Sequence, residues 1–435
     1  TDYNSDNTLY VYSDTGWNAI STLSGGMRSD TVYVYGTDGT YDATETAING
    51  VERLYFFGAN AEVLVDQSTF DSNGLEQIGG AATGRLVTDE AVLDMGNIRV
   101  STASVESSNA AGTIFDVDRA DTAVQIMGGA GTDTIRTDQF AFSDLERAYI
   151  FGTTSIEVIE DTSGSYTSPS SAPNTFTLTS GADAPAMTAA DETVFGTEAT
   201  LNAADALDAG DGTDGLVLYG AGTYNLNDLT GFSGFESVDV INLTTSAVNL
   251  TLKEGSSTDV TLVANGATTV TAAGATQIGS LVGGDSRDTV NLSDTASIGS
   301  FDAGSGSGIR LNMRGDSTVG EVSAEYAYEH QFYLYDNASV TGTMTLEGYN
   351  GRGYMYDSST IETVDFGDRY GNQMRMYGSS SVTTLDLGSG GGNRAYLYDT
   401  SSAENIILGG TDYNSDNTLY VYSDTGWNAI STLSG

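Results

Sequence analysis

From Phe332 onward the chain breaks into units that each open on a tyrosine-rich strand. They read FYLYDNASVTGTMTLEGYNGRG, YMYDSSTIETVDFGDRYGNQ, MRMYGSSSVTTLDLGSGGGNR, AYLYDTSSAENIILGGTDYNSDN and TLYVYSDTGWNAISTLSG. The equivalent positions Tyr335, Tyr356, Tyr377, Tyr398 and Tyr422 lie at steps of 21, 21, 21 and 24. Backward steps of 22, 21 and 21 lead to Met313, Leu292 and Thr271. Each unit carries a Tyr-x-Tyr strand, a small turn around Asp, Ser or Gly, a second strand such as VTTLDLG, and a Gly/Asn-rich turn. Two short strands per unit cannot bury their apolar faces alone, and stacking the units solves this. The expected fold is therefore all-β: a right-handed parallel β-solenoid (β-helix) with coils of ~21 residues. Gly and Asn suit the corners because a tight turn needs positive φ.

Residues 1–25 and 411–435 are identical, which gives a period of 411 minus 1, or 410 residues. Tyr12 is followed by Tyr35 after 23 residues, so the tyrosine pattern runs on through the duplicated segment. The simplest reading is a tandem array of 410-residue repeats, with 411–435 the start of the next repeat. The sequence then reads as a window cut from a longer chain. All three prolines, Pro169, Pro173 and Pro185, fall within 161–190. Proline cannot donate to a central ladder, so a linker or looped-out segment is expected there. This divides the chain into solenoid coils at 1–160, the linker at 161–190, regular coils at 191–410 and the repeated start at 411–435. Within the first part, 59–126 shows no clean period and reads as less regular coils. The best helix candidate is MTAADETVFGTEATLNAADALDAG.

Asp and Glu number 59 against 15 Lys and Arg, a net charge of -44. Such a chain repels phosphate backbones, so nucleic acid is not an expected partner. Like charges also oppose compaction, so a halophilic solvent or bound divalent cations are needed as an offset. Calcium is the natural cation because its ligands are oxygens. There is no cysteine, which excludes disulfides and thiolate metal sites. No run of 18 apolar residues exists, so no membrane insertion is expected.

Gly128 to Arg136, GGAGTDTIR, fits the nonapeptide G-G-x-G-x-D-x-U-x at every specified position. Its glycines let carbonyls face inward, its Asp supplies charge, and its apolar residue starts a strand. The candidate metal residues here are Gly128, Gly129, Gly131 and Asp133. Weaker copies add Gly210, Asp211, Gly212 and Asp214 in AGDGTDGLV, Asp285 and Asp288 in GGDSRDTVN, and Asp30 in GGMRSDTVY. Arg28 and Ser286 replace the third glycine in the last two. The competing reading of each is a Gly-Asp turn that only starts a strand. Three of these loops are followed by an apolar-Glu-x-apolar element, at Glu146, Glu236 and Glu52.

This layout resembles the β-solenoid regions of RTX-type, hemolysin-like calcium-binding-repeat proteins, over 25–58, 127–152 and 208–300. That family includes surface-layer proteins and giant adhesins exported by type I secretion from Gram-negative bacteria. The resemblance implies a Ca2+-stabilised fold and an extracellular or cell-surface location. The tyrosine-rich coils lie outside it. The stretch DYNSDN, Asp2 to Asn7, resembles the front of an EF-hand loop but has Asn7 and Ser13 where Gly and Glu belong. It reads as an Asx-type turn, with a calcium-assisted corner as the alternative.

Alternation along the Tyr-x-Tyr strand makes both of its faces apolar or aromatic. The earlier VNL and LNM strands carry Asn instead. The tyrosines concerned are Tyr10, Tyr12, Tyr33, Tyr35, Tyr333, Tyr335, Tyr354, Tyr356, Tyr377, Tyr396, Tyr398, Tyr420 and Tyr422. They form a lateral self-association stripe, a surface covered by the chain's own coils, or a sugar-binding strip. One lysine, Lys253, and one histidine, His330, cannot supply a Ser-His-Asp set or a His-rich metal cluster. His330, in YEHQF, reads as a surface residue. The function expected is that of an extracellular structural repeat forming a fibre, adhesin stalk or surface layer. The alternatives are a glycan- or cell-binding adhesin module and, less favoured, a polysaccharide-active enzyme.

Overall fold

The computed structural model describes residues 6–26, 29–35, 40–57, 62–71, 74–80, 84–101, 104–168, 174–304, 306–324, 328–409, 416–422 and 424–434. The chain divides into two units, Thr1–Ala172 and Pro173–Gly435. Each is a parallel β-solenoid.

In the second unit, from Ser237–Asn242 onward, successive strands alternate between a 13-stranded and a 10-stranded sheet, and every strand pair in both is parallel; Ala206–Asp208 and Gly231–Ser233 form a separate parallel pair. The strands Arg310–Met313, Gln331–Leu334, Arg352–Met355, Gln373–Met376 and Arg394–Leu397 follow one another at 21-residue steps, then Thr418–Val421 after 24. Period-2 alternation decides what is buried. Leu311 and Met313 point inward while Arg310 and Asn312 point out, and each later strand repeats this. A turn follows in which Asp336, Asp357 and Asp399 adopt φ of 58°, 55° and 52°. Asp and Asn tolerate this left-handed conformation best after glycine. The chain then enters the longer strands, such as Ser381–Asp386, where Val382 and Leu385 are buried and two outward residues stand between them.

The first unit has three five-stranded sheets. One holds Thr8–Val11, Thr31–Val34, Arg53–Phe56, Gln77–Gly80 and Arg99–Ser101. Another holds Thr40–Asp42, Glu62–Leu64, Arg85–Thr88, Ser104–Ser107 and Ile126–Met127. The described residues of 59–126 thus belong to stacked coils, and unequal spacing between strands hides the period. The third sheet ends in an antiparallel hairpin, Val158–Asp161 with Gly164–Thr167.

Two expectations need correction. The 187–210 stretch is not helical: it contributes the strands Thr193–Thr197 and Ala206–Asp208. A ten-residue helix occupies Asp144–Thr153 instead, capped by Ser143 and Glu146 in a reciprocal capping box. Met313 pairs with Leu334 in the core, so Arg314, not Met313, is the equivalent of Tyr335. The span expected as a linker, 161–190, holds the boundary between the two units, flanked by the short strands Gly164–Thr167 and Thr175–Thr177. Pro169 and Pro173 lie outside the described residues.

Parallel register places each inward residue on its equivalent in the next coil. One inward column runs Leu311, Phe332, Gly353, Met374, Ala395, Leu419. From Phe332 onward large and small residues alternate, and a Cβ at Gly353 would collide with the Met374 thioether. Gly353→Leu should therefore cost about 1–3 kcal/mol by overpacking, and Met374→Ala in the same chain should recover much of it. Urea unfolding of the two single variants and the double variant checks this coupling.

Candidate functional site

The four glycine-rich loops close the coils in a common way. Each loop Asp is buried, with Asp133 fully enclosed and Asp30, Asp214 and Asp288 close to it. Oδ1 of Asp133 accepts the N–H of Thr113 from the preceding coil at 2.7 Å, and Oδ2 accepts the N–H of Gly129 in its own loop at 2.7 Å. Asp288 takes Thr268 N–H at 3.0 Å and Gly284 N–H at 2.8 Å. Asp30 takes Asn7 N–H at 2.8 Å and also the N–H of Gly26. Asp214 accepts Glu192 N–H at 2.7 Å, while its Oδ2 is buried without a partner.

The glycines have a matching reason. A Cβ at Gly128 would strike Ser155 of the following coil, one at Gly129 would strike Ser107 of the preceding coil, and one at Gly131 would meet Gly112. Gly131 also has φ 103°. Gly210, at φ 87°, and Gly212, at φ 143°, press likewise on the preceding coil, while Asp211 and Asp285 are exposed.

Three of these loops leave little for calcium to bind, and the Asp214 loop differs, with Oδ2 of Asp214 and Oε2 of Glu192 buried and unpartnered. A cation needs free carboxylate and carbonyl oxygens converging on one point. Both oxygens of Asp30, Asp133 and Asp288 already take backbone N–H groups. No group of three or more metal-type side chains gathers among the described residues. Arg28 and the start of DYNSDN lie outside them.

The acid that follows each loop extends the same device. Glu52, Glu157 and Glu236 accept the N–H groups of Asp30, Asp133 and Asp214 from one coil further on. Glu157 therefore occupies the place expected for Glu146, which caps the helix. The signal for this was present: Ser143 three residues before Glu146 is a capping-box spacing. Sequence reasoning also missed an amide version of this ladder. Asn372, Asn393 and Asn417 accept the N–H groups of Gly351, Asn372 and Asn393 at 2.8, 2.8 and 2.9 Å. Their recurrence in GNQ, GNR and DNT at each corner was readable.

Electrostatics vary along the corners. The Gly26 N–H holds the Asp30 carboxyl below its ordinary range. Burial pushes Asp214 up, and Asp288 up to about 6. His330, expected at the surface, is fully buried in the corner column between Ile309 and Gly351, and neither ring nitrogen has a partner. Burial pushes it down to about 4.

The second candidate site is the outward face of the 10-stranded sheet. One column runs Asn312, Tyr333, Tyr354, Arg375, Tyr396, Tyr420, and the next runs Arg314, Tyr335, Tyr356, Tyr377, Tyr398, Tyr422. Rings stack at 4.7–5.2 Å within 9° of parallel, as for Tyr333 on Tyr354 and Tyr377 on Tyr398. Arg375 lies over both Tyr354 and Tyr396, at 6.0 and 5.3 Å, and Arg314 lies over Tyr335 at 4.3 Å. The first unit has its own stack, Tyr10 on Tyr33 on Tyr55 beside Tyr12 on Tyr35 on Phe57. All thirteen tyrosines singled out from sequence are in these columns. Those within the second unit's columns are half-buried, chiefly by one another, and the column ends Tyr12 and Tyr422 are 73% and 59% exposed.

No protein-family model, curated protein or solved structure matches the chain.

Asp133→Ala leaves two buried N–H groups unpaired and should cost on the order of 3 kcal/mol. In urea unfolding the loss should be equal with calcium and with chelator at matched ionic strength; a loss seen only with calcium would contradict the staple reading. The histidine gives a pH prediction. Its folded pKa lies below its ordinary 6.5, so its contribution is complete above pH 6.5 and falls as pH drops through 6.5 to about 4, by up to about 3 kcal/mol. His330→Leu should flatten that acid limb in a pH series of denaturation midpoints.

Proposed function

We propose that this chain is the repeating module of an extracellular structural array, a β-solenoid whose successive copies stack coil on coil. The observation that carries this is the behaviour of the duplicated coil. In its first copy, Thr8–Val11 pairs only with the following strand, Thr31–Val34; in its second, Thr418–Val421 pairs only with the preceding strand, Arg394–Leu397. Asn7 donates to Asp30 ahead of it, whereas Asn417 accepts from Asn393 behind it. Trp17 is fully buried, packs 5.4 Å from Phe56 and donates its indole N–H to Asp42 O, while its duplicate Trp427 is 60% exposed. One and the same coil thus serves both neighbours, and a following copy gives Trp427 the partners that Trp17 already has.

An array of this kind needs no separate cap at each repeat. It serves as a fibre, an adhesin stalk or a surface-layer lattice, with copies joining laterally through the tyrosine face. The fold is compatible with RTX-type repeat proteins, and export by type I secretion from a Gram-negative cell belongs to this reading. Calcium belongs to it at the Asp214 loop, where Oδ2 of Asp214 and Oε2 of Glu192 are buried without partners; at Asp30, Asp133 and Asp288 the carboxylates take backbone N–H groups. Elsewhere cations act by screening the surface charge. A glycan-binding adhesin module is the second reading, favoured by the half-exposed tyrosine rings.

The junction is tested with tryptophan emission. In a Trp17→Phe chain, extending the sequence past Gly435 with a copy of residues 26–80 should shift Trp427 emission to the blue and protect it from acrylamide. An unchanged, quenchable emission in a folded extended chain would refute coil-on-coil continuity.

A further inference from the structure

The tyrosine face carries a charge pattern that its rings conceal. A third outward column borders it, running Arg310, Gln331, Arg352, Gln373, Arg394. Arginine alternates with glutamine, so like charges are never direct neighbours, and Arg310 donates to Gln331 at 2.8 Å. Between residues 310 and 422 the three outward columns contain no carboxylate. They hold Arg310, Arg314, Arg352, Arg375 and Arg394, five of the fifteen Lys and Arg in a chain of net charge -44. Arg352 and Arg394 are exposed and form no ion pair among the described residues. The opposite border is the turn that follows the second tyrosine column. It carries Asp336, Asp357 and Asp399, all exposed, at spacings of 21 and 42 residues, with Gly378 at the level between the last two. The face is therefore basic along one edge, aromatic in the middle and acidic along the other.

Such a face is complementary to itself in only one orientation. A twofold axis parallel to the coil stack exchanges left and right and keeps the level of each coil. It lays the arginine border of one copy over the aspartate border of the other, and the two tyrosine columns over each other. A twofold axis along the strands sets arginine on arginine and aspartate on aspartate. Isologous contacts are the usual way for copies to pair, and complementary charge decides which contact is reached. We infer that two copies of this chain pair laterally through this face with their coil stacks running in the same direction. This rests on the lateral self-association reading and adds its orientation and charge register. The same borders also disfavour head-to-head stacks.

The test uses sedimentation of the full chain at low and high salt, with three sets of substitutions. Arg310→Glu, Arg352→Glu and Arg394→Glu together should weaken self-association at least tenfold. Asp336→Lys, Asp357→Lys and Asp399→Lys together should do the same. A one-to-one mixture of the two sets should restore a mixed dimer. Because lysine is strained at the positive φ of those turns, Asp→Asn at the same positions is the milder variant, and it should weaken pairing by a smaller factor. The chain lacks cysteine, so spin labels on Gln331→Cys and Gln373→Cys report orientation, and equal inter-label distances are expected at the two levels. Unequal distances, or pairing unaffected by the arginine reversals, would overturn the orientation while leaving lateral association standing. A wild-type chain that stays monomeric at low salt would overturn both. So would a monomer that binds polygalacturonate in an arginine-dependent way, which would mark the face as a site for acidic glycans.

Discussion

Parallel in-register stacking sets every side chain on its equivalent one coil away, at about 4.8 Å. That single constraint governs what each column can contain. Aromatic rings gain from being repeated at this spacing, and the tyrosine columns stack nearly parallel. Arginines do not, and they alternate with glutamine or insert between tyrosine rings. In the core, Phe332 is followed by Gly353 and Met374 by Ala395, and a Cβ at Gly353 would run into the Met374 thioether one coil on.

The same constraint explains the corners. A strand ladder satisfies N–H groups along the sheet, but several coils also have a corner N–H that the ladder does not reach. A buried Asp, Glu or Asn from the next coil takes it at Thr113, Thr268, Glu192, Gly351 and Asn372. Leaving such a group unpaired in the interior is costly, so the acceptor is a requirement of the fold. The glycine-rich loop then has two structural reasons for its composition. Its glycines let loops of adjoining coils touch, and its Asp closes the corner. Both reasons apply without a cation, although the pattern of letters is the one that the calcium-binding repeats share. The large negative charge is thus mainly a surface property to be screened by salt.

Much of this was legible in the sequence wherever the period was strict. Twenty-one-residue steps from Tyr335 to Tyr398 gave the coil, and alternation along Tyr-x-Tyr gave the outward columns. Legibility failed where two signals share letters. LERAYI and IEVIED both satisfy the apolar-Glu-x-apolar scheme, and only the cap at Ser143 separates the helix from the corner acid at Glu157. It failed again at Met313, where a hydrophobic residue next to Arg314 looked like the aromatic position but faces the core. His330 looked polar and therefore exposed, yet the corner column it occupies is interior. In 59–126, turns of unequal length erased the period while leaving the strand register intact.

The central claim is that neighbouring coils are joined backbone to backbone, one coil apart, in a fixed register. Scalar coupling across hydrogen bonds measures this directly in an isotope-labelled chain. The account predicts coupling from the Tyr398 amide nitrogen to the Met376 carbonyl carbon, and from Tyr422 to Leu397. Coupling of the Tyr398 amide to a carbonyl of its own coil, or to the strand of an antiparallel hairpin, would contradict it.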